Sequence, residues 1–263
     1  MKFIDFGGGV SAAALEFVSH AAPEPGVQAT FKAVGDCGLL VEFGSHIDDE
    51  TSARVLQLDA ALASEKLPNV IEAIVAYTSL LIVFDARITD YDKLKATVSR
   101  LASLPVTGSR KSRRWRIPVA YGGAFGLDLD EAASRLGMSR EILVAAHADA
   151  EYTVAMFGFL PGFAYLSGLP PHLALPRRMS PRARIFSGSI AIGGSQTAIG
   201  SIEGPSGWNV IGRTPLRTFD ADRCPATFFE PGDLIHLEAI TNEQFHELAA
   251  RSATGEIVAM RVA

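Results

Sequence analysis

Hydrophobic and polar positions in residues 29–104 alternate at two periods, and the switches between them outline a small unit. Residues 29–34 and 39–43 read as strands joined at the Gly35-Asp36 turn, with Glu42 facing out. Asp48, Asp49 and Glu50 place negative charge at a helix start, and Val55, Leu58 and Leu62 follow at helical spacing. Two β-rich runs, 70–76 and 80–84, flank Tyr77-Thr78-Ser79. Asp90 is placed to cap a last helix carrying Tyr91, Leu94, Val98 and Leu101 on one face. The order ββαββα predicts a small antiparallel sheet with both helices on one face, a ferredoxin-like α/β domain.

The second half has a different pattern. Residues 116–121 predict a strand that ends at the turn Gly122-Gly123. Asp128 with Glu131 has capping-box spacing ahead of a short helix that ends at Gly137, and Ser139 caps a second helix reaching His147. From Tyr152 onward the pattern is strand and turn, with short β runs at 189–192, 209–211 and 234–238 and a Pro231-Gly232-Asp233 turn. Many short strands with such punctuation predict a closed or nearly closed barrel. The expected division is a flexible arm at 1–27 (with room for a short helix at 11–19), the α/β domain at 28–104 and a basic linker at 105–114. A barrel at 115–246 and a C-terminal tail at 247–263 complete an α+β chain.

Composition narrows the function classes. The 263 residues are 48% hydrophobic and 20% charged, with a net charge of −5 and a pI near 5.7. That balance argues against nucleic acid as the main partner, and of the two short helices joined by Gly-Met-Ser the second carries only Arg140 as a base. The longest stretch without acidic residues, Lys or Arg, 152–176, is broken by glycines and prolines, so no membrane span is expected. Cys37 and Cys224 stand far apart and form no redox or metal motif, which fits a reducing, cytoplasmic compartment.

Candidate chemistry concentrates between Tyr152 and Asp220. Phe157 to Phe163 alternate aromatics with Gly and Pro, which makes them either core or the wall of an apolar cleft; Phe163 is a candidate contact. Arg177, Arg178 and Arg182 lie between prolines. They are either surface ion-pair formers or an anion subsite, since a guanidinium matches carboxylate or phosphate geometry. Gly193-Gly194-Ser195-Gln196-Thr197 is either a simple hairpin turn or a turn offering backbone amides and the Gln196 amide to a ligand. Trp208 and Arg213 follow as a large aromatic and another arginine. No GKS or GKT loop, GxSxG elbow or HExxH pattern occurs, so no nucleotide, serine-hydrolase or metal site is expected from motifs. His147, at a helix end before the unusual segment, is the titratable candidate for catalysis.

Four runs together carry a resemblance: GFLPGFAYLSGLP (158–170), PRRMSPR (176–182), SGSIAIGGSQTAIG (187–200) and SGWNVIGRTPLRTFD (206–220). With GDCGLLVEFG (35–44) and EPGD (230–233), they resemble the B-type subunit family of 5-oxoprolinase (PxpB), also known as KipI (a sporulation-kinase inhibitor) and allophanate hydrolase subunit 1. The resemblance implies a small α/β domain followed by a cyclophilin-like β-barrel. It also implies a C-type partner (KipA, or allophanate hydrolase subunit 2), encoded separately or fused, and an A-type partner. Together these would open 5-oxo-L-proline to L-glutamate at the expense of ATP, with Mg in the complex, and the single chain would be inactive. The substrate carboxylate and ATP phosphate would suit Arg177, Arg178, Arg182 or Arg213, with His147 and Gln196 as the catalytic candidates. The family name leaves two alternatives: a histidine-kinase inhibitor, and half of a carboxyltransferase in a biotin-dependent urea carboxylase/allophanate system. Related sequences tend to carry a tyrosine where this chain has Gly200, and SPGGW where it has GPSGW at 204–208.

Overall fold

Residues 29–106 and 112–262 are described by the computed structural model; the expected N-terminal arm and the middle of the basic linker lie outside them. Strands β1 (Thr30–Val34) and β2 (Gly38–Glu42) form a hairpin, followed by α1 (Asp49–Glu65), β3 (Val70–Val75), β4 (Ser79–Phe84) and α2 (Tyr91–Ala102). The sheet is antiparallel throughout, in the order β1-β2-β4-β3. Both helices begin as the sequence predicts: Asp48 accepts from the Thr51 amide and Asp90 from the Lys93 amide. Val55, Leu58, Leu62, Leu94, Val98 and Leu101 share one core with Leu39, Val41, Leu80 and Ile82, so both helices cover the same sheet face.

The element order ββαββα is the one the sequence predicts, but it is not that of a ferredoxin-like unit. A ferredoxin-like unit runs βαββαβ, whereas this domain runs ββαββα. Moving β1 behind α2 would turn one order into the other, so the domain is a circular permutation of that arrangement.

The second unit is a closed barrel. Strands β5 (Arg114–Tyr121), β6 (Glu151–Phe157), β7 (Ala164–Ser167), β9 (Ser189–Gly193), β10 (Gln196–Ile199), β12 (Asn209–Arg213) and β13 (Leu234–Ala239) follow the order β12-β9-β10-β7-β6-β13-β5. Pairing of Gly212 and Arg213 with Tyr121 and Ala120 joins β12 to β5 and closes the ring. Alternate residues fill it, among them Ile117, Val119, Val154, Ile190, Ile192 and Ile211. Helices α3 (Leu129–Leu136) and α4 (Arg140–Asp149) add Leu129, Ala132, Ala133 and Leu143 to the same core. A separate ribbon, β8 (Arg182–Ile185) with β11 (Gly204–Ser206), covers an outer apolar layer that includes Phe163, Ala191, Ala198, Trp208 and Val210.

Three other expectations change. The barrel pattern does not run unbroken to the C-terminus: helix α5 (Asn242–Ala253) and the edge strand β14 (Met260–Val262) occupy the expected tail. The end of the basic linker is no tether. Arg113 grips Asp233 through Nε at 2.8 Å and Nη2 at 2.5 Å, and Arg114 already belongs to β5. The Asp128–Glu131 capping box does not form, because Asp128 makes no side-chain cap bond and its carboxylate is used elsewhere.

Candidate functional site

His147 sits where α4 meets the barrel interior and is fully buried. Its Nε2 lies 3.0 Å from Thr197 Oγ1 and its Nδ1 2.9 Å from the Tyr121 hydroxyl. Thr197 donates its own proton to the Ala191 carbonyl, so it accepts from Nε2–H, and Nδ1 accepts from Tyr121. Tyr152 closes the group by donating to the His147 carbonyl at 2.7 Å. Burial pushes the imidazole pKa down to about 3, so the ring is neutral and both nitrogens are satisfied. His147 and Thr197, both expected at the site, are buried in the barrel and bonded to each other, with Tyr121 and the Ala191 carbonyl as their further partners.

The arginine loop divides three ways. Arg178 donates to Asp128 Oδ1 at 2.6 Å and Arg182 donates to the same oxygen, while Asp128 Oδ2 accepts from the Val210 amide at 2.8 Å. Asp128 is 2% exposed, so these two arginines fasten the loop to the start of α3. Arg177 is exposed, and its guanidinium carbon lies 5.7 Å from the Trp208 ring centroid. Trp208 packs so closely on the backbone that a Cβ at Gly193 would lie 2.4 Å from its ring, which explains glycine there. Gln196 pairs with Gly193 on the same face, so Phe163, Gly193, Gln196, Trp208 and Arg177 come together on the outer layer. Gly194 is committed to a backbone exchange with Leu175, at 2.7 and 3.0 Å, so the turn offers no free Gly194 amide. Tyr77, from the first domain, meets Tyr165 edge-on at 6.3 Å, a contact between the two units that the sequence did not reveal.

Arg213 lies apart from these residues, in a cleft of about 740 Å³ at the mouth of the barrel. The cleft is lined by Phe125, Ser187, Ser201, Arg213, Phe219 and Phe245, among others. Backbone bonds knit its loops: Gly188 N to Gly200 O at 2.7 Å, Gly200 N to Ser189 O at 2.8 Å and Thr214 N to Gly188 O at 2.8 Å. Gly188 has a φ of +77°, and a Cβ there would lie 2.2 Å from Thr214 O, so only glycine allows the crossing. The GFLPGF motif supports this mouth from behind, since Ser201 Oγ donates to the Pro161 carbonyl at 2.5 Å. At Gly200, where relatives tend to carry tyrosine, a Cβ would meet only ordinary contacts with Ser189, the nearest at 3.5 Å.

Within the cleft, Arg213 Nε donates to the Ser187 carbonyl at 2.8 Å, and its guanidinium lies 4.9 Å from the Phe186 ring and 5.5 Å from that of Phe245. Among the described residues its terminal nitrogens have no hydrogen-bond acceptor. Burial pushes its pKa down, against the field of Glu203. The charges nearby are otherwise paired: Glu203 with Arg184 at 2.5 Å and Arg217 with Asp220 at 3.3 Å. A partly desolvated guanidinium beside two rings, with no acceptor for its terminal nitrogens among the described residues, is suited to take a planar anion. Sequence reasoning singled out Arg213 but missed Phe186, Ser187, Phe245 and Asp128. The T-x-x-Q spacing at 241–244, which forms a capping box at the start of α5, was the signal that could have found Phe245.

The family model of the carboxyltransferase domain, subdomain C and D, matches residues 29–229. The B-type subunit of 5-oxoprolinase from Bacillus subtilis is 34% identical over 231 residues, which cover 84% of this chain and 96% of that protein. The crystal structure of TTHA0988 shares 34% identity with a TM-score of 0.70, covering 78% of this chain and 40% of that one, so this chain spans well under half of that solved protein. The Kluyveromyces lactis urea amidolyase matches with a TM-score of 0.72 at 19% identity, over 89% of this chain and 16% of that one, a likeness of fold.

Proposed function

The chain belongs to the family of 5-oxoprolinase B-type subunits, and from that premise we propose that it is one component of an enzyme that hydrolyses 5-oxo-L-proline to L-glutamate at the expense of ATP. The observation that carries the reading is kinship along almost the whole length of the Bacillus subtilis protein. The barrel mouth supports it chemically. 5-Oxoproline is a small carboxylic acid with a planar lactam, and the cleft pairs an uncommitted Arg213 with the rings of Phe186 and Phe245. Arg213 receives the carboxylate, which fixes the lactam relative to the groups that attack it. With no Walker loop in the sequence, the phosphoryl chemistry is assigned to the assembled enzyme with its C-type and A-type partners. The extra length of TTHA0988 fits a companion domain fused to a chain of this kind.

Reconstitution tests the proposal. The purified chain alone is expected to leave 5-oxoproline and ATP unchanged, and adding the two partners is expected to give 5-oxoproline-dependent phosphate release. No turnover in the full mixture, or full turnover by the chain alone, contradicts it. The family model's own description favours one second reading, half of a carboxyltransferase. Activity that required a biotin-bearing protein would select that reading.

A further inference from the structure

We infer that the mouth cleft binds a small carboxylate within this chain alone, and that Phe245 on helix α5 is a positioning residue that holds Arg213 in place for it. The inference rests on the assignment of Arg213 above and extends it to a helix that lies beyond the family model's match, which ends at residue 229.

Three observations lead there. The cleft runs from the loops around Ser187, Ser201 and Thr214 to α5, and about 740 Å³ is ample for an acid of this size. Of the cleft's charged groups, Glu203 is paired with Arg184 and Arg217 with Asp220, His246 also lines the wall, and Arg213, in the field of Glu203, has no carboxylate in salt-bridge contact among the described residues. The pose of Arg213 is fixed on two sides, by Ser187 O at Nε and by the rings of Phe186 and Phe245. Phe186 is 45% exposed, whereas Phe245 is 4% exposed and packs against Phe125 with ring centroids 4.3 Å apart. The helix carrying Phe245 is anchored in turn: Ile240 N donates to Val119 O on β5 at 2.9 Å, and Thr241 and Gln244 cap each other at its first turn. The rigid ring is therefore the one that sets the direction of the guanidinium, and pre-setting it lowers the cost of ordering the charge when ligand arrives.

Calorimetric titration of the full chain with 5-oxo-L-proline, 2-pyrrolidinone (the same lactam without its carboxylate) and inorganic phosphate tests both parts. The isolated chain is expected to bind 5-oxoproline about ten- to a hundredfold more tightly than 2-pyrrolidinone, the range of one charge-assisted hydrogen-bonding group, and more tightly than phosphate. Arg213→Ala should abolish that preference, and Arg213→Lys should restore it poorly, because a point charge cannot hold two oxygens in one plane. Phe245→Leu keeps an apolar side chain on α5 and should weaken 5-oxoproline binding several-fold. In the reconstituted complex the same variant should raise KM with kcat preserved. Arg100→Ala, in the first domain, serves as the charge control. No binding by the isolated chain overturns the inference, as does equal binding of 2-pyrrolidinone or tighter binding of phosphate; unchanged binding by Phe245→Leu removes the positioning role. Binding that depends on Arg213, in a complex whose turnover ignores Arg213→Ala, would leave this inference standing and defeat the proposed function instead.

Discussion

Two parts of the barrel domain present arginine, and they use it in opposite ways. In the 176–182 loop the charges are clustered, yet Arg178 and Arg182 converge on the buried Asp128 and act as fasteners. At the mouth a single Arg213 has its Nε anchored to a carbonyl while its terminal nitrogens lack an acceptor among the described residues. Density of charge along the chain therefore does not mark an unpaired guanidinium. What separates the two is the carboxylate supply: Asp128 reaches the loop from 50 residues away in sequence, whereas the acids near Arg213 are already taken by Arg184 and Arg217.

The largest effect should come from removing the fastener. Asp128→Ala leaves Arg182 and the Val210 amide without their acceptor and Arg178 with Glu131 alone at 3.3 Å, and breaking a buried pair costs about 3–5 kcal/mol. A chemical denaturation series should show that loss, and a change under about 1 kcal/mol would mean the loop is not held this way. Arg213→Ala sharpens the comparison from the other side. It should cost about 1.5–3 kcal/mol of ligand affinity, the worth of hydrogen bonds to a charged group, with the thermal midpoint nearly unchanged.

Next comes the buried imidazole. The pKa of His147 in the folded chain, about 3, lies below its ordinary value near 6.5, so between those pH values the unfolded chain binds the extra proton. Stability is complete above that window and falls as pH drops through it, with a slope approaching ~1.4 kcal/mol per pH unit from this group. His147→Gln should flatten that part of the stability–pH curve. If the variant instead keeps the slope while turnover in the complex vanishes, His147 is catalytic after all. The smallest change belongs to Arg177→Ala, which loses an exposed stacking contact on Trp208 worth about 0.5–1 kcal/mol. Its melting curve and its kinetics should both stay close to wild type.

The difference between what the sequence disclosed and what it hid follows the range of the interactions. Asp48, Asp90 and Ser139 were legible as helix starts because a cap acts on an amide three residues away. The barrel was legible from strand spacing and turn residues, and the motifs around 158–220 marked the region that builds the mouth. Asp128 was misread because the same local signature, an acid three positions before Glu131, also fits a carboxylate engaged with residues 50 and 54 positions away. The buried bonding of His147 was hidden for the same reason: its partners Tyr121 and Thr197 are 26 and 50 positions distant. The element order ββαββα was legible in the first domain, but its strand order is decided by pairing between segments that one-dimensional periodicity does not rank.

The central claim is that Arg213, and not the arginine loop, receives the acidic substrate. Its most direct test is kcat/KM for 5-oxoproline in the reconstituted complex, measured for Arg213→Ala and Arg178→Ala beside thermal melts of each. The account predicts a ten- to hundredfold loss for Arg213→Ala at an unchanged midpoint, with about 1.5–3 kcal/mol of transition-state binding removed. For Arg178→Ala it predicts a lowered midpoint with kcat/KM of the folded complex preserved. The reverse pattern, kinetics lost at Arg178 and kept at Arg213, would contradict it.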